Sequence, residues 1–181
     1  MIIIDCKIAV SGTAKKCNSS NLFLTTYSLF TRHLSFDDGA GFEMSIFCKP
    51  VLVLEDYGLK ASDITDVVIT HAHHDHIAAI GTYANAVIHI QEKEYEVGKK
   101  YIPARFKVHT FDDEFLLCDG VIVRNIGGHS YGSSIVICQL DEKNYIFCGD
   151  ECYVKTCFDR QIPTGASYRP EVSENSVEIL I

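Results

Sequence analysis

The sequence predicts an α/β fold whose strands fall into two sheets. Along most of the 181 residues, apolar and β-branched segments of strand length alternate with a few short helical segments. Hydrophobic residues make up 47% of the chain and charged residues 22%, a composition typical of one globular domain with a sizeable core. We therefore expect residues 1–181 to form a single domain.

The first elements are predicted from their apolar content. Residues 2–10 and 22–30 have the composition of strands, and the polar stretch between them is typical of a loop. Residues 49–57 predict a short helix, which Gly58 would end. After a turn, residues 66–70 form a short apolar run that predicts a buried strand.

Helix and strand continue to alternate after this run. A helix is predicted to begin at Asp75, whose carboxylate suits the positive N-terminal end of a helix, and to end near Gly81. Residues 87–91 predict another strand, and residues 92–100 predict a charged helix with a solvated face over residues 92–96. Two hairpins complete the predicted strands, and they pair residues 115–118 with 121–126 and residues 134–140 with 145–148.

The charge pattern argues against some classes of partner. The formal net charge is −8 and no run of lysine and arginine is present, whereas binding to nucleic-acid phosphates requires a basic surface. The apolar start is broken at Asp5 and lacks a basic segment, so it predicts neither a signal peptide nor a membrane span. We expect a cytoplasmic protein that acts on a small molecule, without nucleic-acid or membrane partners, and we leave a homodimer open.

The eight cysteines are scattered and include no Cys-x-x-Cys pair. Because the chain lacks a secretion signal, this spacing predicts reduced thiols rather than a disulfide framework. Most of the cysteines lie in apolar segments, as Cys138 and Cys148 do, where a thiol packs as a small hydrophobic side chain.

A run of His-Ala-His-His-Asp-His begins at His71 and directly follows a predicted strand. Histidine is the commonest metal ligand, and a mid-chain cluster interrupted by an aspartate does not resemble a tag. His71 and His73 are two residues apart on an extended segment, so both can face one ion, while His74 points away. Asp75 and His76 are offset from that pair and suit a second ion, about 3.5 to 4 Å from the first. The other isolated histidines are predicted to be surface or hydrogen-bonded core residues, namely His33, His89 and His109.

Two further segments place ligand-type side chains after predicted strands. His129 follows Gly127 and Gly128, and the glycines let the backbone turn at that strand end. Asp150 follows Gly149 at the end of another predicted strand. Because α/β folds place their chemistry at strand ends, these side chains are candidates to complete a metal site with the histidine cluster.

The order and spacing of these segments resemble the metallo-β-lactamase superfamily of metal-dependent hydrolases. Residues 71–76 match the family motif H-x-H-x-D-H, and residues 128–133 are similar to its motif G-H-S/T-x-G-S. Residues 149–150 are similar to its strand-end G-D, and residues 36–39 are similar to its strand that ends in D-x-G. The resemblance covers most of the chain from about residue 36 onward.

This resemblance implies a four-layer αβ/βα sandwich of two mixed β-sheets flanked by helices. The metal ligands that it implies are His71, His73 and His129 for one ion, Asp75 and His76 for a second ion, and Asp150 as a bridge between them. The resemblance further implies that a metal-bound, bridging hydroxide attacks an electrophilic carbonyl, phosphoryl or related centre, and that Asp75 orients this hydroxide. The physical basis is that a zinc-type cation lowers the pKa of its water from 15.7 to about 7.

A ligand set rich in nitrogen and oxygen suits zinc best, with iron and manganese as alternatives. Di-iron flavoproteins of the superfamily carry Glu where this chain has His73, so the sequence departs from that branch. The family also completes its second site with a further C-terminal histidine, and no histidine follows His129 here. We expect a chain truncated at its C-terminus before its last elements, and a naturally short chain with a weakened second site is the alternative.

The expected activity is hydrolysis of an ester, lactone or thioester. Tyr153 lies where the lactonase branch places a tyrosine that contacts the substrate carbonyl, and its hydroxyl would stabilise the developing oxyanion. A tyrosine that packs at the rim of the site is the alternative. Ala78 and Ala79 replace the paired glycines of lactonases and of glyoxalase II-like thioesterases. A mononuclear iron oxidoreductase similar to persulfide dioxygenases and a non-catalytic metal-binding protein are the other functions considered.

Overall fold

The computed structural model of the chain describes residues 2–4, 22–23, 60–140, 143–152 and 155–162. The described strands form two sheets, as the alternation of segments predicts. Among the helices in these ranges, none is long and apolar enough to cross a membrane.

Apart from one strand and one α-helix, the described strands and α-helices follow one another in the order that the sequence pattern predicts. The strands are β1 (Ile2–Ile4), β2 (Leu22–Phe23), β3 (Asp66–Ile69), β4 (Val87–Gln91), β5 (Lys107–Phe111), β6 (Glu114–Cys118), β7 (Val121–Asn125), β8 (Ser134–Leu140) and β9 (Lys143–Phe147). The α-helices are α1 (His74–Ile77), α2 (Glu92–Gly98) and α3 (Lys155–Arg160). Short 3-10 helices cover Ala61–Asp63, Ala78–Thr82, Lys99–Tyr101 and Gly149–Glu151.

One sheet is mixed, and its described strands lie in the order β1, β9, β8, β7, β6. β1 runs parallel to β9, whereas the other neighbouring strands are antiparallel. The pairs β6–β7 and β8–β9 are the two predicted hairpins. The first of them turns at Gly120, whose φ of 75° lies in the left-handed region that glycine adopts without a steric penalty.

The other sheet has the strand order β2, β3, β4, β5, and its described strands are all parallel. Parallel neighbours need a crossover connection. α1 and the 3-10 helix after it connect β3 to β4, and α2 lies between β4 and β5. The mixed pairing expected of both sheets is therefore seen, among the described strands, in the first sheet.

Three apolar clusters lie between four layers of structure. The sheets pack face to face through a shared core that includes Val68, Phe111, Val123, Val136 and Phe147. The outer face of the parallel sheet packs against α1 through Val67, Ile69, Ile77, Ile88 and Ile90. The outer face of the mixed sheet packs against α3 through Ile135, Ile146 and Cys157. This arrangement confirms the predicted four-layer αβ/βα sandwich.

From residue 66 onward the predicted elements agree closely with the structure, and β4 covers the predicted residues. Two described elements were not predicted. β5 is mostly exposed and lacks the apolar content of a buried strand, and α3 lies in a segment for which no helix was predicted. The predicted helix over residues 49–57 and the D-x-G segment at residues 36–39 lie outside the described residues.

The prediction of reduced cysteines is confirmed at four positions and wrong at one. Cys138, Cys148, Cys152 and Cys157 are free and buried. Burial raises the pKa of Cys138 to about 11, so this thiol stays protonated and packs as a hydrophobic side chain. Cys118 is disulfide-bonded. It is only partly buried at the end of β6, and a thiol that is not sealed in a core is more open to oxidation.

Candidate metal centre

The candidate metal ligands lie just beyond the carboxyl ends of three strands. His71 and His73 follow β3, His129 follows β7, and Asp150 follows β9. β3 belongs to the parallel sheet, whereas β7 and β9 belong to the mixed sheet. The site is therefore assembled where one edge of the two-sheet sandwich brings these strand ends together.

Glycines at two of these strand ends allow the loops to turn towards one another. Gly127 and Gly128 have φ values of 65° and 103°, which residues with a Cβ rarely adopt. Gly149 has a φ of 55°, and a Cβ at this position would lie 3.0 Å from Thr70 Oγ1. The loop after β9 therefore passes directly beside the loop after β3.

Four side chains converge at this edge. One ligand atom from each of His71, His73, His129 and Asp150 lies within 4.8 Å of all the others. His129 Nε2 lies 2.9 Å from His73 Nδ1 and 3.6 Å from Asp150 Oδ2. Three of the four residues are buried and His73 is exposed, so the group is accessible from solvent on one side.

The two carboxylate oxygens of Asp150 face different histidines. Oδ2 lies 3.8 Å from His71 Nε2 and 3.6 Å from His129 Nε2, whereas Oδ1 lies 3.2 Å from His76 Nε2. The family resemblance assigns His76 to the second ion and the other two histidines to the first. Asp150 thus has the orientation that a bridging carboxylate requires, and its role as a metal ligand stays a prediction.

The residues present fit a transition-metal cation. His71 Nδ1 lies 3.2 Å from Thr70 Oγ1, and the buried Nε2 on the other side of the ring has no hydrogen-bond partner among the described residues. A buried polar atom without a partner is costly unless it binds a ligand. Three imidazoles and one carboxylate form a donor set that suits zinc, and the contact at Nδ1 orients the ring as outer partners of metal-binding histidines do.

Burial favours the neutral form of two of these imidazoles, those of His71 and His129. It lowers the pKa of His71 well below the ordinary 6.5, and the neighbouring His76, His129 and His73 lower it further. Burial also lowers the pKa of His129, although the Asp150 carboxylate acts in the opposite direction. Because a metal-binding nitrogen must be unprotonated, both rings are ready to bind a cation at neutral pH.

Two of the predicted functional side chains are not placed by the structure. The backbone of Asp75 belongs to α1, but its side chain is not among those described. Tyr153 lies outside the described residues. The roles of Asp75 at the second ion and of Tyr153 at the substrate carbonyl remain predictions.

Two buried glutamates beside the site were not predicted. The solvated face expected over residues 92–96 is wrong for Glu94, which is only 4% exposed. The signal was the helical spacing of Gln91, Glu94 and Gly98, which places these residues on one buried face of α2. Glu151 is 1% exposed and accepts a hydrogen bond from a backbone amide of the β7 loop. No pattern in its local sequence distinguished it from the carboxylates at the surface.

The fold is similar to those of solved lactonases. A variant of AiiA from B. thuringiensis, with N-decanoyl-L-homoserine at its active site, has a TM-score of 0.65 and 23% identity over 74% of this chain and 56% of that one. An N-acyl homoserine lactone hydrolase, with its product at the catalytic metal centre, has a TM-score of 0.64 and 24% identity over 72% and 55%. AidC, a dizinc quorum-quenching lactonase, has a TM-score of 0.62 and 16% identity over 91% and 65%.

These identities show a shared fold, and the present chain spans little more than half the length of the first two proteins. Comparison with curated proteins gave no match. The family model of the metallo-beta-lactamase superfamily matches residues 36–160, which is more than half of the 181 residues. The described geometry and this match lead to one conclusion: the chain belongs to the metallo-beta-lactamase superfamily.

Proposed function

We propose that this protein is a metal-dependent hydrolase that cleaves an ester, lactone or thioester bond in a small molecule. The observation that carries the proposal is the convergence of His71, His73, His129 and Asp150 within 4.8 Å. Membership of the metallo-beta-lactamase superfamily supports a metal-dependent hydrolase at the level of the superfamily.

We assign the site to two zinc ions. In this proposal His71, His73 and His129 hold the first ion, Asp75 and His76 hold the second, and Asp150 lies between them. Bound zinc supplies a water of lowered pKa and polarises the carbonyl under attack. The separate orientation of the two Asp150 oxygens supports this assignment, since Oδ1 faces His76 and Oδ2 faces His71 and His129.

The residues of the chain contribute orientation and access. The contact between Thr70 Oγ1 and His71 Nδ1 sets the plane of that imidazole, and burial keeps the ring neutral. We propose that a small substrate approaches the four ligand atoms from the side of His73, the exposed member of the group. We further propose that Tyr153 donates a hydrogen bond to the substrate carbonyl as negative charge develops on its oxygen.

Lactones are the first substrates to test, because the similar structures include two proteins that are lactonases or lactone hydrolases with product bound. The metal content of the purified protein is measured first. Hydrolysis of a panel of lactones, nitrophenyl esters and acyl thioesters is then followed before and after chelation. We expect bound zinc, loss of hydrolysis on chelation and its recovery when zinc is restored.

His71→Ala and His89→Ala form a matched pair for this experiment, because both residues are buried histidines on the parallel sheet or its loop. The first substitution is expected to abolish hydrolysis and the second to leave the metal content intact. A zinc-loaded protein that is inert on the whole panel would contradict the proposal. So would one equivalent of iron without hydrolysis, which is expected of the oxidoreductase alternative.

A further inference from the structure

Glu94 is a buried carboxylate between the two loops that carry the candidate histidine ligands. On the same helix, Glu92 and Glu96 are exposed, whereas Glu94 is 4% exposed. Moving a carboxylate out of water is costly unless hydrogen bonds or charges compensate it. Its burial therefore indicates a specific use of the side chain.

The two oxygens of Glu94 are divided between the loops. Oε2 accepts a hydrogen bond of 2.7 Å from Ala72 N, and Ala72 is flanked on both sides by candidate ligands. Oε1 accepts hydrogen bonds from Ser130 Oγ at 2.7 Å and from Gly132 N at 2.8 Å. Both donors lie on the loop that carries His129. The Glu94 side chain thus accepts hydrogen bonds from both the loop after β3 and the loop after β7, which follow strands of different sheets.

The surrounding residues are shaped for this contact. A Cβ on Gly132 would lie 2.8 Å from Glu94 Cγ and would overlap Gln91 Oε1, so only glycine lets the loop approach this closely. Gln91 is the N-cap of α2, and its side chain accepts a hydrogen bond of 2.6 Å from Lys93 N. The start of the helix that presents Glu94 is therefore fixed.

The charge of Glu94 also favours a cation at the site. The three donors to its oxygens are neutral, and the buried carboxylates of Asp150 and Glu151 add further negative charge nearby. A divalent cation among the histidines would offset this buried charge. Binding of the ion and ordering of the two loops are coupled through such a side chain.

We propose that Glu94 is a positioning residue that holds the β3 loop and the β7 loop at a fixed separation. It sets the affinity and the coordination geometry of the metal without contacting the ion or the substrate. This inference rests on the metal site of the proposed function.

Glu94→Gln tests the inference with little change in side-chain volume. The amide replaces one acceptor oxygen with an NH2 group, which cannot accept a hydrogen bond from the donors on one of the two loops. Co2+ is the probe, because its visible absorption reports coordination number and geometry. We expect Co2+ affinity, measured by competition with a chromophoric chelator, to fall roughly 10- to 100-fold, the range for outer partners of metal ligands. The Co2+ spectrum is expected to change as well.

Glu96→Gln is the matched control, because Glu96 lies on the same helix but is exposed and pairs with Lys99. It is expected to keep the wild-type Co2+ affinity and spectrum. Ser130→Ala removes a single donor and is expected to weaken Co2+ binding in the same direction by a smaller factor. This variant carries the test if Glu94→Gln does not fold, and unchanged Co2+ binding by it would then contradict the inference.

Urea unfolding of the metal-free proteins separates positioning from stability. Wild-type Co2+ affinity and spectrum in Glu94→Gln overturn the inference, even where the metal-free variant is less stable. A wild-type protein that binds no Co2+ overturns the proposed metal site itself, which is a distinct result.

Discussion

Histidine and aspartate meet at two places in the described part of this protein, and the two groups differ in how their polar atoms are used. In the candidate metal site, ligand atoms from His71, His73, His129 and Asp150 approach within 4.8 Å of one another. Within the described ranges the buried Nε2 of His71 has no hydrogen-bond partner, and its distance of 3.8 Å to Asp150 Oδ2 is too long for a hydrogen bond.

The second group, which we call the His89 group, consists of Asp66, His89 and His109 on three adjacent parallel strands. His89 Nε2 lies 2.8 Å from Asp66 Oδ1, and His89 Nδ1 lies 3.2 Å from His109 Nδ1. The His89 ring stacks on Phe115, with centroids 5.3 Å apart. Both ring nitrogens of His89 therefore have partners within the protein.

The contrast between His89 and His71 indicates that a buried histidine serves stability or binding according to whether both of its ring nitrogens have partners within the protein. In the His89 group, the carboxylate accepts the Nε2 proton and His109 contacts Nδ1, so both ring nitrogens of His89 are used within the protein. In the metal site, the buried Nε2 of His71 has no such partner among the described residues. The prediction that each of these histidines is a surface or a hydrogen-bonded core residue is confirmed for His89, which is buried, and for His109, which is exposed; His33 lies outside the described residues.

The largest effect is expected at the metal site. His71→Ala removes a ligand atom, and zinc affinity is expected to fall more than about 100-fold, beyond the range for outer partners. His89→Ala is expected to bind zinc as the wild type does. Competition with a chromophoric chelator measures both affinities. Equal zinc affinity in the two variants would contradict the assignment of zinc binding to the His71 site.

For the metal-free protein, a large loss of stability is expected from a substitution in the His89 group. His89→Ala removes two hydrogen bonds and leaves the Asp66 carboxylate without its imidazole partner. We expect it to lower the free energy of unfolding by about 2–3 kcal/mol. His109→Ala, at an exposed position, is expected to cost less. Urea unfolding gives both values, and a larger loss in His109→Ala would contradict the assigned roles.

The contribution of Asp66 is expected to depend on pH. The hydrogen bond from His89 lowers the pKa of Asp66 below its ordinary 3.8, against the opposing effect of burial, and the Thr65 hydroxyl lowers it further. A carboxyl group with a lowered folded-state pKa stabilises the protein above its unfolded pKa and loses that contribution as pH falls through the folded value.

The difference in unfolding free energy between wild type and Asp66→Asn should therefore be largest above about pH 4 and shrink below it. Urea unfolding in parallel at several pH values measures this difference. A gap that widens on acidification would show that the charge of Asp66 does not act through His89.

The smallest effect is expected at an exposed ion pair, whose contribution to the free energy of unfolding can be compared with that of the buried His89 group. Arg124 Nε lies 2.7 Å from Glu114 Oε2 across the first hairpin, and the two side chains are 40% and 51% exposed. Arg124→Gln is expected to change the free energy of unfolding by no more than about 1 kcal/mol, because solvent screens such pairs. If Arg124→Gln lowered the free energy of unfolding as much as His89→Ala does, burial would not explain the difference between the exposed ion pair and the His89 group.

Much of the fold could be predicted from local pattern. The apolar run before His71 and the Asp-Gly turn at Gly120 each specify a strand or hairpin through residues that are close in sequence. β5 was not predicted because its side chains are mostly exposed and its composition is not that of a buried strand. It forms a strand because it pairs with β4.

The amino-acid sequence was enough to show which ligand-type residues follow strands and in what order, because strand-forming composition and short motifs are local. The folding of the chain decided which groups bind the Glu94 carboxylate, since its partners Ser130 and Gly132 are 36 and 38 residues away in sequence. It also decided that Asp150 turns one oxygen to His76 and the other to His71. Such choices depend on how two sheets pack, and packing brings together atoms that no local pattern relates.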